Sequence, residues 1–142
     1  MTHKILIVDD SENIRFTVRT AFEGEYTVVT ANDGQAALEM VRKERPDLVF
    51  LDVNMPGVGG VEALKLIKNS GVPSIIWMLT GVEDLAIVTK TLTAGASGYI
   101  TKPFEVESLR RVVLNAFVDL DGAKKPSDKP WTVKRKPAAP GL

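Results

Sequence analysis

Short apolar runs, each followed by a segment with helical periodicity, constrain the fold of this chain more than any other feature. The five runs are Ile5 to Val8, Tyr26 to Val29, Leu48 to Leu51, Ile75 to Leu79 and Tyr99 to Ile100. The first, third and fourth are apolar at every position, which is typical of strands buried on both faces. Strands that alternate with helices form a parallel sheet with helices on both faces, because each crossover must return over the sheet. The sequence therefore predicts an α/β fold.

Between the runs, apolar residues recur at the spacing of amphipathic helices. The residues that mark the five predicted helices are Ile14, Val18 and Phe22; Ala37, Met40 and Val41; Val61, Leu64 and Ile67; Leu85, Val88 and Leu92; and Val106, Leu109, Val113 and Phe117. Asp10 or Ser11 can cap the first helix. Asn32-Asp33-Gly34 is predicted to be a turn after the second strand.

Composition excludes several classes of function. The 142 residues include no cysteine and one histidine, His3, which excludes thiolate metal sites and thiol catalysis and disfavours a histidine-based triad. No apolar run approaches the roughly 20 residues that a membrane-spanning helix needs. The sequence predicts a cytoplasmic protein with one folded domain.

Charge is distributed unevenly along the chain. The last 20 residues carry six basic residues and one acidic residue, together with four of the eight prolines. We therefore predict an acidic folded domain over residues 1–121 and a basic, Pro-rich tail over 122–142, which by its composition is expected to be a flexible extension. A clamp for an acidic partner, a nonspecific nucleic-acid contact and a docking peptide anchored by Trp131 are the functional alternatives for the tail.

Polar side chains directly follow four of the predicted strands. Asp9 and Asp10 follow the first strand, Asp52 the third, Thr80 the fourth and Lys102 the fifth. Ligands of open parallel sheets bind outside the carboxyl ends of the strands, so these side chains are expected at one edge. Each residue alone has an ordinary explanation as a helix cap, loop residue or surface charge. Their joint arrangement indicates a site.

Three neighbouring carboxylates repel one another, so at least one pKa is expected to rise. Mg²⁺ suits a site with few carboxylates and several retained waters. A carboxylate beside Mg²⁺ and a lysine can attack a phosphoryl group, and Asp52, on the strand expected to be central, is the best candidate nucleophile. In this interpretation Lys102 pairs with a phosphoryl oxygen and the Thr80 hydroxyl donates a hydrogen bond to the new group.

The motifs resemble those of receiver domains of two-component response regulators. The matching segments are Asp9-Asp10 after the first strand, Asp52 to Gly57, Leu79 to Gly81 and Gly95 to Phe104, in order and at family-like spacing over residues 4–119. The resemblance implies a flavodoxin-like fold with five helices and strand order 2-1-3-4-5. It also implies a signalling switch of the chemotaxis-regulator kind, not an enzyme beyond its own phosphoryl transfer and slow autodephosphorylation.

Residue by residue, the resemblance implies that Asp52 accepts a phosphoryl group from a phosphohistidine. Asp10 and Asp52 correspond to direct Mg²⁺ ligands, Asp9 to a ligand through water, and Asn54 to a ligand through its backbone carbonyl. Lys102 corresponds to the lysine that contacts the phosphoryl group, and its bond to Pro103 is expected to be cis. Thr80 and Tyr99 correspond to a switch pair.

Partners follow from the same resemblance. They are a sensor histidine kinase or phosphotransfer protein and a downstream protein, with a possible homodimer through the face of helix 4, strand 5 and helix 5. The short tail predicts a stand-alone receiver without a DNA-binding domain, acting through protein contacts or as a phosphorelay intermediate.

Two departures from the family pattern carry expectations of their own. The segment Pro73 to Thr80 is two residues longer than usual, which leaves the start of the fourth strand open, and Trp77 within it is expected to pack. Asn54 and Val82 are expected to tune the lifetime of the phosphorylated state.

Three other functions compete with the receiver interpretation. A flavin carrier needs a phosphate-cradling loop, and Asp9 to Glu12 would repel a phosphate. A metal-dependent aspartyl phosphatase needs an acid two positions after the nucleophile, where Asn54 stands. A constitutive binding module would not need the five site residues that are present.

Overall fold

A parallel sheet of five strands, alternating along the chain with five helices, organises the residues described by the computed structural model, 3–55, 57–81 and 85–122. The elements are β1 (Lys4–Val8), α1 (Glu12–Phe22), β2 (Thr27–Ala31), α2 (Gly34–Glu44), β3 (Leu48–Asp52), α3 (Gly60–Lys68), β4 (Ile75–Thr80), α4 (Leu85–Thr93), β5 (Gly98–Thr101) and α5 (Val106–Gly122). The strand order is β2-β1-β3-β4-β5, and every pair is parallel. The predicted fold class and the strand order implied by the resemblance are both confirmed.

The central strands are buried on both faces, as their continuous apolar runs predict. Leu6, Val49 and Met78 belong to one core cluster, to which α2 and α3 contribute the buried residues Ala37, Leu38, Val41, Ala63, Leu64 and Ile67. Ile7 and Phe50 alternate with them on the opposite face and are also fully buried. Each fully buried side chain of this size stabilises the fold by about 1.5–3 kcal/mol, so the sheet provides a rigid base for its carboxyl edge.

The helix starts are determined by local capping. Ser11, not Asp10, is the N-cap of α1, and its hydroxyl accepts a hydrogen bond from the Ile14 backbone N–H at 3.3 Å. Asp33 caps α2 by accepting from the Ala36 N–H at 2.8 Å. Asn32 and Asp33 form a bend after β2, as predicted, and Gly34 is already the first residue of α2. An N-cap side-chain oxygen that accepts a hydrogen bond from the N–H three residues later stabilises the helix by about 1 kcal/mol.

All five strands differ in extent from the predicted apolar runs, by one or two residues at an end. β2 begins at Thr27 and continues to Ala31, two residues beyond the predicted Val29, because it pairs with all of β1. β4 begins at Ile75, and the residue before it is fixed by a hydrogen bond from the Ser74 hydroxyl to the Pro46 carbonyl at 2.6 Å. Trp77 packs as expected, since its ring lies over Gly98 on β5, where a Cβ would be 2.7 Å from the ring.

Of the described residues, those up to Phe104 form one compact unit, and those from Glu105 to Gly122 belong to a second. The second unit contains α5, in which Leu109, Val113 and Phe117 are buried at helical spacing. The predicted tail lies outside the described residues except for its first residue, Gly122. Among the described helices, none has the length and hydrophobicity that crossing a membrane requires.

Candidate functional site

The carboxyl edge of the sheet brings together the acidic residues that the sequence places after β1 and at the end of β3. Asp9, Asp10 and Asp52 each offer a carboxylate oxygen, and these atoms lie within 4.8 Å of one another. Asp9 and Asp52 are buried, at 0 % and 2 % exposure, whereas Asp10 is exposed. The cluster therefore has a buried floor and one side open to solvent.

Asp9 is fixed through its backbone and its side chain. Its N–H donates to the Ala31 carbonyl at 3.2 Å, and its own carbonyl accepts from the Arg15 guanidinium at 2.7 Å. The side-chain Oδ1 accepts from the Ser11 N–H at 2.9 Å. Asp9 is thus tied to β2 and to α1, which orients its carboxylate before any ligand binds.

Lys102 joins two of the carboxylates. Its Nζ lies 2.8 Å from Oδ2 of Asp9 and 3.2 Å from Oδ1 of Asp52, and its side chain is 22 % exposed. The Lys102 backbone N–H donates to the Thr80 carbonyl at 2.7 Å, which holds Lys102 beside the last residue of β4. The peptide bond between Lys102 and Pro103 is cis.

The ionisation of these groups reflects their burial. Burial raises the pKa of Asp52, and the negative charge of Asp9 raises it further, while Lys102 opposes the rise. Repulsion between the carboxylates, the cause expected from the sequence, is thus the second-largest contribution to the raised pKa of Asp52, after burial. Burial alone would lower the pKa of Lys102, but its contacts with Asp9 and Asp52 raise it above the usual value.

The remaining predicted site residues lie close by. Thr80 is buried at the end of β4, and Asn54 is exposed two residues after Asp52, whose Oδ1 accepts from the Asn54 N–H at 3.3 Å. Tyr99, 37 % exposed on β5, pairs with Met78, and Thr101 pairs with Thr80. Because side chains two residues apart in a strand share a face, Tyr99 and Thr80 lie on the same face of the sheet. Val82 is outside the described residues.

The cluster fits a hard divalent cation. Within the described part of the chain, Oδ2 of Asp9 is buried and accepts no hydrogen bond of good geometry, although Nζ of Lys102 is 2.8 Å away. A single ammonium group compensates one of three carboxylate charges, so the donor set retains excess negative charge and oxygen atoms. These are the ligands that Mg²⁺ prefers.

Two features of the site were not anticipated from the sequence. The Arg15 contact with the Asp9 carbonyl could not be inferred, because an arginine on a helix has many possible partners. The close packing of Gly60 against the end of β3 was also missed, although two adjacent glycines at the start of α3 were a signal for it.

Comparison with known proteins agrees with this geometry. The family model for the response regulator receiver domain matches residues 5–114. The chain belongs to the response regulator receiver domain family. Sporulation initiation phosphotransferase F of Bacillus subtilis is 38% identical over 114 residues, which are 80% of this chain and 92% of that protein.

Solved structures show the same similarity. The chemotaxis protein CheY4 of Vibrio cholerae superposes with a TM-score of 0.77 at 34% identity, covering 82% of this chain and 99% of that one. Among relatives compared by sequence, response regulator MprA of Mycobacterium ulcerans is 40% identical over 111 residues, which are 77% of this chain but 47% of that protein. The receiver thus matches nearly the whole of some relatives and about half of others.

Receiver domains are signalling components of two-component systems, and they interact with histidine kinases or phosphotransfer proteins. Membership in the family therefore implies phosphorylation-dependent signalling for this receiver.

Proposed function

We propose that this receiver is a switch activated when Asp52 accepts a phosphoryl group from a phosphohistidine of a sensor kinase or phosphotransfer protein. The observation that carries the proposal is the position of Lys102, whose ammonium group lies 3.2 Å from Oδ1 of Asp52 at the carboxyl edge of the sheet. A cation at this distance from the acceptor can neutralise charge on the transferred group, and phosphoryl transfer depends mainly on positioning and charge stabilisation.

The contacts of Asp52 support a choice between its two oxygens as the attacking atom. Oδ1 is engaged by Lys102 and by the Asn54 N–H, so we assign the attack to Oδ2. A bond forms between this oxygen and phosphorus, while the bond from phosphorus to the donor's imidazole nitrogen breaks and the imidazole recovers a proton. The product is an acyl phosphate on Asp52.

Carboxylates of Asp9, Asp10 and Asp52, with the backbone carbonyl of Asn54, would hold Mg²⁺ in this proposal. When bound, the ion supplies positive charge for the phosphoryl oxygens. Asp9 is oriented for this role by the Ser11 N–H and by the Arg15 contact to its carbonyl.

Thr80 and Tyr99 are the proposed switch. The Thr80 hydroxyl would donate a hydrogen bond to the new phosphoryl group, and Tyr99, which shares its face of the sheet, would turn inward to fill the vacated space. Such a local change in charge biases a two-state element and alters partner affinity. The downstream partner, a homodimer and the tuning of lifetime by Asn54 and Val82 stay predictions.

Intact-mass analysis after incubation with acetyl phosphate and Mg²⁺ tests the proposal. One phosphoryl group is expected on the wild-type receiver, and none on Asp52→Asn or after chelation. Asp33→Asn is the matched control, because asparagine still caps α2 and Asp33 lies outside the cluster. Labelling that persists in Asp52→Asn, or that is unaffected by chelation, would contradict the assignment.

A further inference from the structure

The start of α3 lies directly against the peptide that follows Asp52. Gly59 and Gly60 stand side by side there, but their surroundings differ. A Cβ on Gly59 would have 3.9 Å to its nearest neighbour, which is an ordinary contact. A Cβ on Gly60 would overlap the Asp52 carbonyl oxygen and lie 2.6 Å from the Val53 Cα. Of these two glycines, Gly60 is thus the one that has no room for a side chain.

The atoms that Gly60 meets belong to the backbone of β3 and cannot rotate away. Val53 donates its N–H to the Leu79 carbonyl at 2.8 Å, and its carbonyl accepts from the Gly60 N–H at 2.9 Å. Val53 is thereby held to β4 through its N–H and to α3 through its carbonyl, which restrains the peptide that joins it to Asp52. Any shift of α3 at this point must move that peptide, and with it the Cα from which the Asp52 carboxylate extends.

We propose that Gly60 is a positioning residue for the phosphoacceptor. By allowing α3 to begin in contact with the peptide between Asp52 and Val53, Gly60 sets the Asp52 carboxylate against Lys102 and Asp9. The inference rests on the proposed function in taking Asp52 as the acceptor. It goes beyond that function, since it assigns the accuracy of the site to a residue with no side chain and no contact with the transferred group.

A second glycine, at the start of a different helix, lies against the same part of the chain. A Cβ on Gly34, the first residue of α2, would lie 2.6 Å from both Cγ1 and the carbonyl oxygen of Val58. Val58 stands two residues before Gly60. α2 and α3 therefore both begin close to the segment after β3, and substitution at Gly34 would also displace this segment.

The expected displacement is large on the scale of a reactive geometry. Ordinary Cβ contacts begin near 3.4 Å, so a methyl group at Gly60 must move the Val53 Cα by about 0.8 Å from its 2.6 Å separation. A misplacement of about 1 Å can reduce a rate by about 100-fold. We expect Gly60→Ala to lower the rate of labelling by acetyl phosphate 10- to 100-fold and to weaken Mg²⁺ binding by about 10-fold.

Three measurements on the full chain test the proposal. They are the Mg²⁺ dissociation constant by calorimetry, the rate of labelling by acetyl phosphate, and the amide NMR signals of Val53 and Asn54 in the metal-free protein. Gly59→Ala is the neighbouring control. Ile67→Ala, a fully buried residue of the same helix, is the control for lost stability, and all variants are compared at a temperature where each is folded.

The proposal requires that Gly60→Ala change the Mg²⁺ dissociation constant, the labelling rate and the two amide signals. In both controls the dissociation constant and the rate should stay within twofold of wild type, and the two amide signals should keep their wild-type positions. Wild-type values in folded Gly60→Ala, or an equal loss in Ile67→Ala, would overturn it. If Gly60→Ala does not fold, Gly34→Ala decides by the same comparison with Ile67→Ala. If the wild-type receiver itself is not labelled, the proposed function fails, and the Mg²⁺ affinities and NMR signals still test the positioning role.

Discussion

Replacing Asp52 with asparagine should stabilise the receiver at neutral pH in the absence of metal. The carboxylate is 2 % exposed, and its oxygens lie within 4.8 Å of those of Asp9 and Asp10. Burial and the charge of Asp9 both raise its pKa, so the folded protein holds the ionised form less favourably than the unfolded chain does. An amide of the same shape removes that cost.

The magnitude follows from three opposing contributions. At an effective dielectric constant of about 20, a second carboxylate at 4.8 Å costs about 3.5 kcal/mol, whereas the ammonium of Lys102 at 3.2 Å contributes about 5 kcal/mol. Burying the charge costs several kcal/mol more. The balance favours the neutral side chain, and we expect the free energy of unfolding to rise by about 1–3 kcal/mol in Asp52→Asn.

Mg²⁺ should reverse this order. A ligand at 100 times its dissociation constant stabilises the folded state by about 2.7 kcal/mol, and the asparagine variant lacks one carboxylate with which to gain it. Urea unfolding followed by far-UV circular dichroism, with EDTA and then with Mg²⁺, measures both quantities. Glu39→Gln, an exposed position on α2, is the control and should change stability by less than about 0.5 kcal/mol.

The effect of pH has a defined sign. Because the folded pKa of Asp52 is raised, the cost of its charge is fully present above that pKa and disappears as pH falls toward the usual value of 3.8. The advantage of Asp52→Asn should therefore shrink on acidification. A variant less stable than wild type in EDTA at pH 7, or an advantage that does not change between neutral and acidic pH, would refute the reasoning.

Three further substitutions have expected outcomes. Lys102→Met leaves two buried carboxylates without their cation and should lower the free energy of unfolding in EDTA by about 2 kcal/mol, after allowance for the partial exposure of the lysine. Mg²⁺ should restore this stability in urea unfolding, and no recovery would argue against a cation site. Ser11→Ala should cost about 1 kcal/mol by loss of the α1 cap and leave the Mg²⁺ affinity measured by calorimetry unchanged, because Asp9 accepts from the Ser11 backbone. Ser74→Ala should lower the free energy of unfolding by about 1–3 kcal/mol, because the Pro46 carbonyl loses its buried donor, and this loss is measured as a lower thermal midpoint. An unchanged midpoint would show that water replaces the Ser74 hydroxyl.

The sequence predicts the sheet well because burial on both faces leaves a clear pattern. Runs such as Leu48 to Leu51 contain no polar residue, so their place inside a parallel sheet follows directly. Asp9 and Asp52 could be placed together for the same reason, since the carboxyl ends of parallel strands share an edge. The sequence does not reveal that Asp33, a residue of the predicted turn, also caps α2, because turns and helix caps favour the same residue types.

Long-range contacts of ordinary residues could not be predicted. Nothing about Arg15 identifies the carbonyl to which it donates, and nothing about Gly60 identifies the strand on which it packs. The cause of the raised pKa of Asp52 was also incompletely predicted. Its proximity to Asp9 follows from topology, but the dominant effect is the depth at which β3 ends, which depends on the packing of the whole edge.

Asp52 and Lys102 differ in how firmly the chain holds them. β3 has a paired neighbour on each side, whereas β5 pairs with β4 alone and forms the margin of the sheet. Backbone amides of β3 should consequently exchange with deuterium far more slowly than those of β5. We therefore expect a new charge on Asp52 to be accommodated by movement of Lys102 and β5, while β3 stays in place.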